Sequence, residues 1–145
     1  MRKRTFVLAA LAVAVAVPTV AFAAMSPVVS AKLTGKTEIP AGDANGSGIV
    51  VLHLDAKKGK ACWDFAKVKS IGTPQAAHIH KGKAGKVGPV VVPLGAAYKT
   101  KGCIAAAKAT IVAIESNPNA FYVNIHNAAF PGGAIRGQLV AGMLG

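Results

Sequence analysis

The most chemically informative stretch of the 145-residue chain is Gln75-Ala76-Ala77-His78-Ile79-His80, in which two imidazoles stand two residues apart. Successive side chains of a strand point to opposite faces, so this spacing puts His78 and His80 on one face and Ala77 and Ile79 on the other. Phe121-Tyr122-Val123-Asn124-Ile125-His126 alternates in the same way, with Val123 and Ile125 inward and Tyr122, Asn124 and His126 outward. In Ala134-Ile135-Arg136-Gly137-Gln138-Leu139, Ile135 and Leu139 take the core face while Arg136 and Gln138 take the other. The three strands agree in phase, and their common polar face, expected on the solvent side, carries His78, His80, His126 and Arg136. Two imidazoles at i and i+2, joined by a third from another strand, make a three-nitrogen metal site suited to copper, with zinc less favoured. No carboxylate lies beside them in the sequence, which argues against a hard cation. The competing reading of the His-x-His pair is a polar surface pair. His53, in Val51-Leu52-His53-Leu54-Asp55, is a candidate fourth ligand or an isolated strand histidine partnered by Asp55.

Positioning these residues requires strands, and the sequence supplies them. Short β-favouring runs alternate with Gly, Pro, Asn and Asp clusters, which predicts an all-β antiparallel Greek-key sandwich or barrel. Strands are expected near 30–38, 46–55, 61–70, 75–81, 88–94, 120–127 and 133–141. Turns are expected at 40–46, 57–60, 81–88 and 131–133. Ala105 to Ser116 differs: Ile104, Ala107, Ile111 and Ile114 recur three or four residues apart and Asn117-Pro118-Asn119 follows, so a short crossover helix is expected there. Trp63 and Phe65, two apart on one strand, read as core aromatics in preference to a carbohydrate platform.

The N-terminus has the form of an export signal. Met1-Arg2-Lys3-Arg4 is a basic head, Thr5 to Val17 an apolar segment and Ala21-Phe22-Ala23 a small-x-small site, so residues 1–23 read as a secretory signal peptide and 24–29 as a short tether. Phe6 to Ala24 is also just long enough for an uncleaved membrane anchor. With the signal removed, no second long apolar run argues for membrane insertion, and the domain spans 30–145. An exported chain is expected in the periplasm or outside the cell. There the two cysteines, Cys62 and Cys103, are most simply one disulfide, since redox-active thiols usually sit closer in sequence.

The whole chain carries 17 Lys plus Arg against 5 Asp plus Glu, a formal charge of +12. Residues 1–23 hold three of those cations and no acid, which leaves +9 on the remainder. A pI near 10.1 invites a nucleic-acid reading, but the mature chain has a single Arg, few aromatics and an export signal, so none is expected. Anionic envelope or matrix polymers, or a protein partner, fit a lysine-rich exported surface better. Lys81, Lys83 and Lys86 follow the histidine pair and either raise the local positive potential or form a solvated turn. The acids Glu38, Asp43, Asp55, Asp64 and Glu115 are scattered, no serine lies in a nucleophile motif, and Gly82-x-x-Gly85-x-x-Gly88 does not open a helix, so hydrolase and phosphate-loop chemistry are unsupported.

Five blocks in order, Leu33 to Pro40, Ala77 to Gly82, Gly88 to Val92, Tyr122 to His126 and Gly132 to Leu139, resemble the CHRD (chordin) domain over residues 31 to 140. That family includes lone exported bacterial proteins, and its animal members include extracellular growth-factor antagonists; the resemblance implies little mechanism. The chain is also similar to copper superoxide dismutases, in which a His-x-His strand, a later His and a near-C-terminal Arg surround copper. His78, His80, His126 and Arg136 follow that order. A bridging histidine between His80 and His126, and a zinc-site cluster, have no counterpart. This second resemblance implies a copper-only site, superoxide as the small anionic substrate, and Arg136 as the anion guide.

Overall fold

The computed structural model describes residues 27–144. The signal peptide assigned to 1–23, and residues 24–26 of the tether, lie outside the described residues, while Val28 and Val29, also assigned to the tether, open the first strand. Nine strands, β1 (Val28–Thr34), β2 (Ser47–Asp55), β3 (Lys60–Lys69), β4 (Pro74–Lys81), β5 (Val90–Pro93), β6 (Lys101–Ala105), β7 (Phe121–Asn127), β8 (Ile135–Gln138) and β9 (Val140–Ala141), and one helix, α1 (Lys108–Ser116), are described. The strands form one antiparallel sheet in the order β5-β4-β7-β8-β1-β2-β3-β6, with β9 also on β1. Strands β1, β2 and β3 follow one another as hairpins and β8 returns much later to lie beside β1, an order of Greek-key type. The two ends of the path, β5 and β6, are joined by residues 94–100. Along that segment Leu94 and Tyr98 donate to the carbonyls of Ala77 and Gln75 on β4, and Phe65 of β3 donates to Thr100. The segment thus hands the sheet from one edge to the other, and the sheet curls on itself, as the expected sandwich or barrel requires.

Alternation drives this curl. On β2 the side chains of Val50, Leu52 and Leu54 are buried while His53 between them is exposed. Ile79, Val123, Ile125, Ile135 and Leu139 extend the same core from β4, β7, β8 and the residue after it. Trp63 and Phe65 are buried in it, Trp63 donating its indole N–H to the Lys99 carbonyl at 2.9 Å, which is the core role expected for them. Ile111 and Ile114 of α1 close it from outside.

Two departures have local causes. Residues 101–105 form a strand that was not expected, its last residue Ala105 lying where the helix was expected to start, and α1 begins only at Lys108. Pairing with β3 decides this: Cys103 faces Cys62 and is bonded to it, Lys101 meets Asp64 at 2.7 Å, and Gly102 leaves room for the Trp63 ring. Similarly, β1 stops at Thr34, and Gly35–Thr37 form a 3-10 turn instead of continuing the strand to 38. Gly35 is required there, because a Cβ would stand 1.7 Å from the Asp43 carbonyl oxygen. This turn redirects Glu38 toward the polar face of the sheet.

The Cys62–Cys103 bond closes a loop across 41 positions between neighbouring strands. A Cys62→Ser/Cys103→Ser chain should therefore unfold at lower urea concentration, with a loss of roughly 3–4 kcal/mol by the chain-entropy estimate. An unchanged midpoint would mean that the bond constrains little in the unfolded chain.

Candidate metal centre

The strand order puts β7 between β4 and β8, and register sets what meets across them. Asn124 of β7 is opposite His78 of β4 and Arg136 of β8, while Tyr122 is opposite His80 and Gln138. The in-phase face read from the sequence is therefore continuous. His78, His80 and His126 converge so that one ligand atom from each lies within 4.8 Å of the others. The His78–His126 ring centroids are 4.8 Å apart and those of His78–His80 5.7 Å.

The ring nitrogens are sorted by their neighbours. A carbonyl oxygen only accepts, so His80 donates from Nδ1 to the Gly88 carbonyl at 2.9 Å, and His126 donates from Nδ1 to the Pro131 carbonyl at 2.9 Å. In the neutral form of either ring Nε2 is left with its lone pair, as in metal sites where the second ring nitrogen is anchored by a backbone acceptor. The Nε2 of His80 is buried and has no protein partner. That of His126 lies 3.0 Å from His78 Nδ1. Burial, reinforced by the neighbouring His126 and His80, pushes His78 down to about 4. Burial also lowers His80, against the opposing pull of the Gly88 carbonyl, Asn124 and Glu38. Unprotonated imidazoles are the form that ligates a metal.

The expected solvent-side location of this face needs correction. His80 is buried, and Arg136 is only 1% exposed. Residues 82–88 fold over the face as a cover. Arg136 Nη2 donates to the carbonyls of Lys83 at 3.1 Å and Lys86 at 2.7 Å, and Gln138 Nε2 donates to that of Gly82 at 2.7 Å. The guanidinium rests 3.3 Å from the centre of the Tyr122 ring, and His80, from the strand on the other side, stacks with that ring at 4.7 Å and 8°. The anion-guiding role expected of Arg136 thus has no solvent-facing guanidinium to act through; Arg136 instead holds the covering loop. The side chains of Lys81, Lys83 and Lys86 are exposed.

His53 is not brought to the cluster. It is exposed on β2, opposite Cys62 and Val28, and β2 is four strands from β4 in the sheet. Asp55 is engaged by the Lys58 N–H and ammonium, not by His53. Conversely, a carboxylate does reach the polar face. Glu38 is buried, accepts from Asn124 Nδ2 at 3.4 Å, and lies close enough to Arg136 and His80 to favour their charged forms. Gly133, at φ +141, makes room for it, since a Cβ there would stand 2.1 Å from Glu38 Oε2. Tyr122 and Asn124 were visible in the alternating pattern as members of this face. Glu38 was not, because a 3-10 turn remote in sequence delivers it.

The CHRD domain family matches residues 29–139, and the chain belongs to that family. No curated protein and no solved structure matches it. Among the described residues no helix is long and apolar enough to cross a membrane.

The depressed His78 basicity has a measurable consequence. Unfolded, the ring titrates near its ordinary 6.5; folded, near 4. Between those values the unfolded chain binds the additional proton, so this contribution to stability is complete above the upper value and is lost as pH falls toward the lower one. The thermal stability of the metal-free protein should fall as pH is lowered across that window, and less steeply in His78→Asn. A ring NMR titration of His78 with an ordinary midpoint would contradict the desolvated site.

Proposed function

We propose that this exported CHRD-domain protein binds one copper ion through His78, His80 and His126, with superoxide-type redox activity. The observation that carries this reading is the pair of Nε2 lone pairs on His80 and His126, each aimed by an Nδ1–H bonded to a backbone carbonyl. Three neutral imidazoles suit copper or zinc by ligand type. Bound copper would supply a one-electron couple. The chain's own residues supply the rest: Gly88 and Pro131 fix two tautomers, Arg136 and Gln138 keep the covering loop over the face, and Lys81, Lys83 and Lys86 raise the local potential for small anions.

A second reading is favoured by one different observation. Lys32, Lys67 and Lys69 line a shallow groove of about 170 Å³ with Ser47, Gly48 and Ile49, and no acid borders it. This groove suits a non-enzymatic module that engages anionic envelope or matrix polymers.

Calorimetric titration of the cleaved protein with Cu(II) should give one site per chain, lost in both His78→Ala and His126→Ala. Superoxide consumption by the loaded protein then separates catalysis from binding alone. Absent binding by the natural chain, or binding by both variants equal to that of the natural chain, overturns the metal reading. Retention on a sulfated polysaccharide that fades with salt supports the second reading, because screened surface charge behaves that way.

A further inference from the structure

Asn124 stands at the centre of the polar face, between Tyr122 and His126 along β7 and opposite His78 and Arg136 across it. Its side chain is only 2% exposed. The orientation of its amide follows from its neighbours. Glu38 Oε2 is an acceptor 3.4 Å from Nδ2, so the NH₂ group faces the carboxylate and Oδ1 faces the histidines. There Oδ1 lies 2.9 Å from His126 Nε2.

That contact is chemically incomplete. Because the Pro131 carbonyl requires a proton at Nδ1, the neutral form of the His126 ring has at Nε2 an acceptor facing another acceptor. His80 Nε2, also an acceptor, is buried nearby without a protein partner. The one ring N–H at hand, from His78 Nδ1, can serve His126 Nε2 alone. Buried polar atoms are ordinarily satisfied, and converging lone pairs that outnumber the donors at hand ask for a cation among them.

We infer that Asn124 supplies a fourth donor to this centre, its Oδ1 joining the three histidine nitrogens around one metal ion, with Glu38 as the positioning residue that presents the oxygen. The inference rests on the metal reading proposed above and deepens it by naming the donor set. An uncharged three-nitrogen, one-oxygen set favours the divalent ions Cu(II) and Zn(II), whereas soft Cu(I) gains little from an amide oxygen. Asn124 therefore selects the oxidised state, and Glu38 acts through it by preventing the amide flip.

Two measurements on the full folded domain test this, with the metals themselves as probes. In the first, Cu(II) and Cu(I) affinities are compared for the natural chain, Asn124→Ala and Glu38→Gln. Asn124→Ala should lose roughly 10- to 100-fold in Cu(II) affinity, the scale typical of disturbed metal surroundings, with a smaller loss for Cu(I). Glu38→Gln should move the same way by less. The second needs no variant: on addition of Zn(II), the side-chain amide signals of Asn124 should shift far more than those of Asn127, which is committed to Ile71 and Phe130 at the end of β7. Metal binding by the natural chain with Asn124 signals unmoved, or with Cu(II) and Cu(I) affinities equally affected by Asn124→Ala, overturns the inference and leaves the three-histidine reading intact. No metal binding by the natural chain overturns both.

Discussion

The register of β7 against β4 and β8 is the constraint on which everything else depends. Because side chains alternate with a period of two, a slip of one residue would send His126, Asn124 and Tyr122 into the core and Val123 and Ile125 out of it. The buried aliphatics of β7 and β8 make that slip costly, since fully burying each contributes roughly 1.5–3 kcal/mol. The hydrophobic face thereby fixes the polar one. His78 meets Asn124, and His80 meets Tyr122, because Ile79 and Val123 must both point inward. The imidazole cluster is a by-product of core packing in position, though not in chemistry.

Its chemistry comes from what covers it. An exposed strand face would leave three ordinary histidines; here residues 82–88 and 130–133 lie over the face, and each supplies a backbone carbonyl to one ring nitrogen. The cover is itself held from below, by Arg136 and Gln138. Burying a guanidinium is unfavourable unless its charge is balanced and its donors engaged. Glu38 supplies the opposite charge, Tyr122 a π face, and the Lys83 and Lys86 carbonyls the acceptors for Nη2. The same arrangement that secures the loop desolvates His78 and His80, keeping them unprotonated at neutral pH.

Much of this was legible in the sequence where period-two alternation carries the signal. The common face of His78, His80, His126 and Arg136, the buried Trp63 and the Cys62–Cys103 pair all follow from residue type and spacing. What alternation does not encode is the third dimension above a face, so Arg136 was placed in solvent and proves buried. Nor does it encode which segment arrives from elsewhere: Glu38 reaches the site through the turn at Gly35–Thr37, and nothing local to the histidines announces it. His53 shows the converse error, a strand histidine with suitable chemistry but four strands away. The run Ala105 to Ala107 reads as the start of the helix by its alanines, yet Ala105 ends β6 against Lys60 of β3 and α1 begins only at Lys108.

The charge of the chain also divides in two. Most lysines are spread over the outside, and the groove at Lys32, Lys67 and Lys69 lies on β1, β2 and β3, away from the strands that bear the histidines. Attraction of anions and binding of a metal are therefore separable properties of one molecule. X-ray absorption at the copper edge of the protein loaded with one equivalent of copper probes the metal centre with no residue altered. Binding at His78, His80 and His126 gives a first shell containing three imidazole nitrogens, with the outer-shell scattering that intact rings produce. A spectrum with one imidazole or none, and lysine or backbone donors in their place, would contradict it.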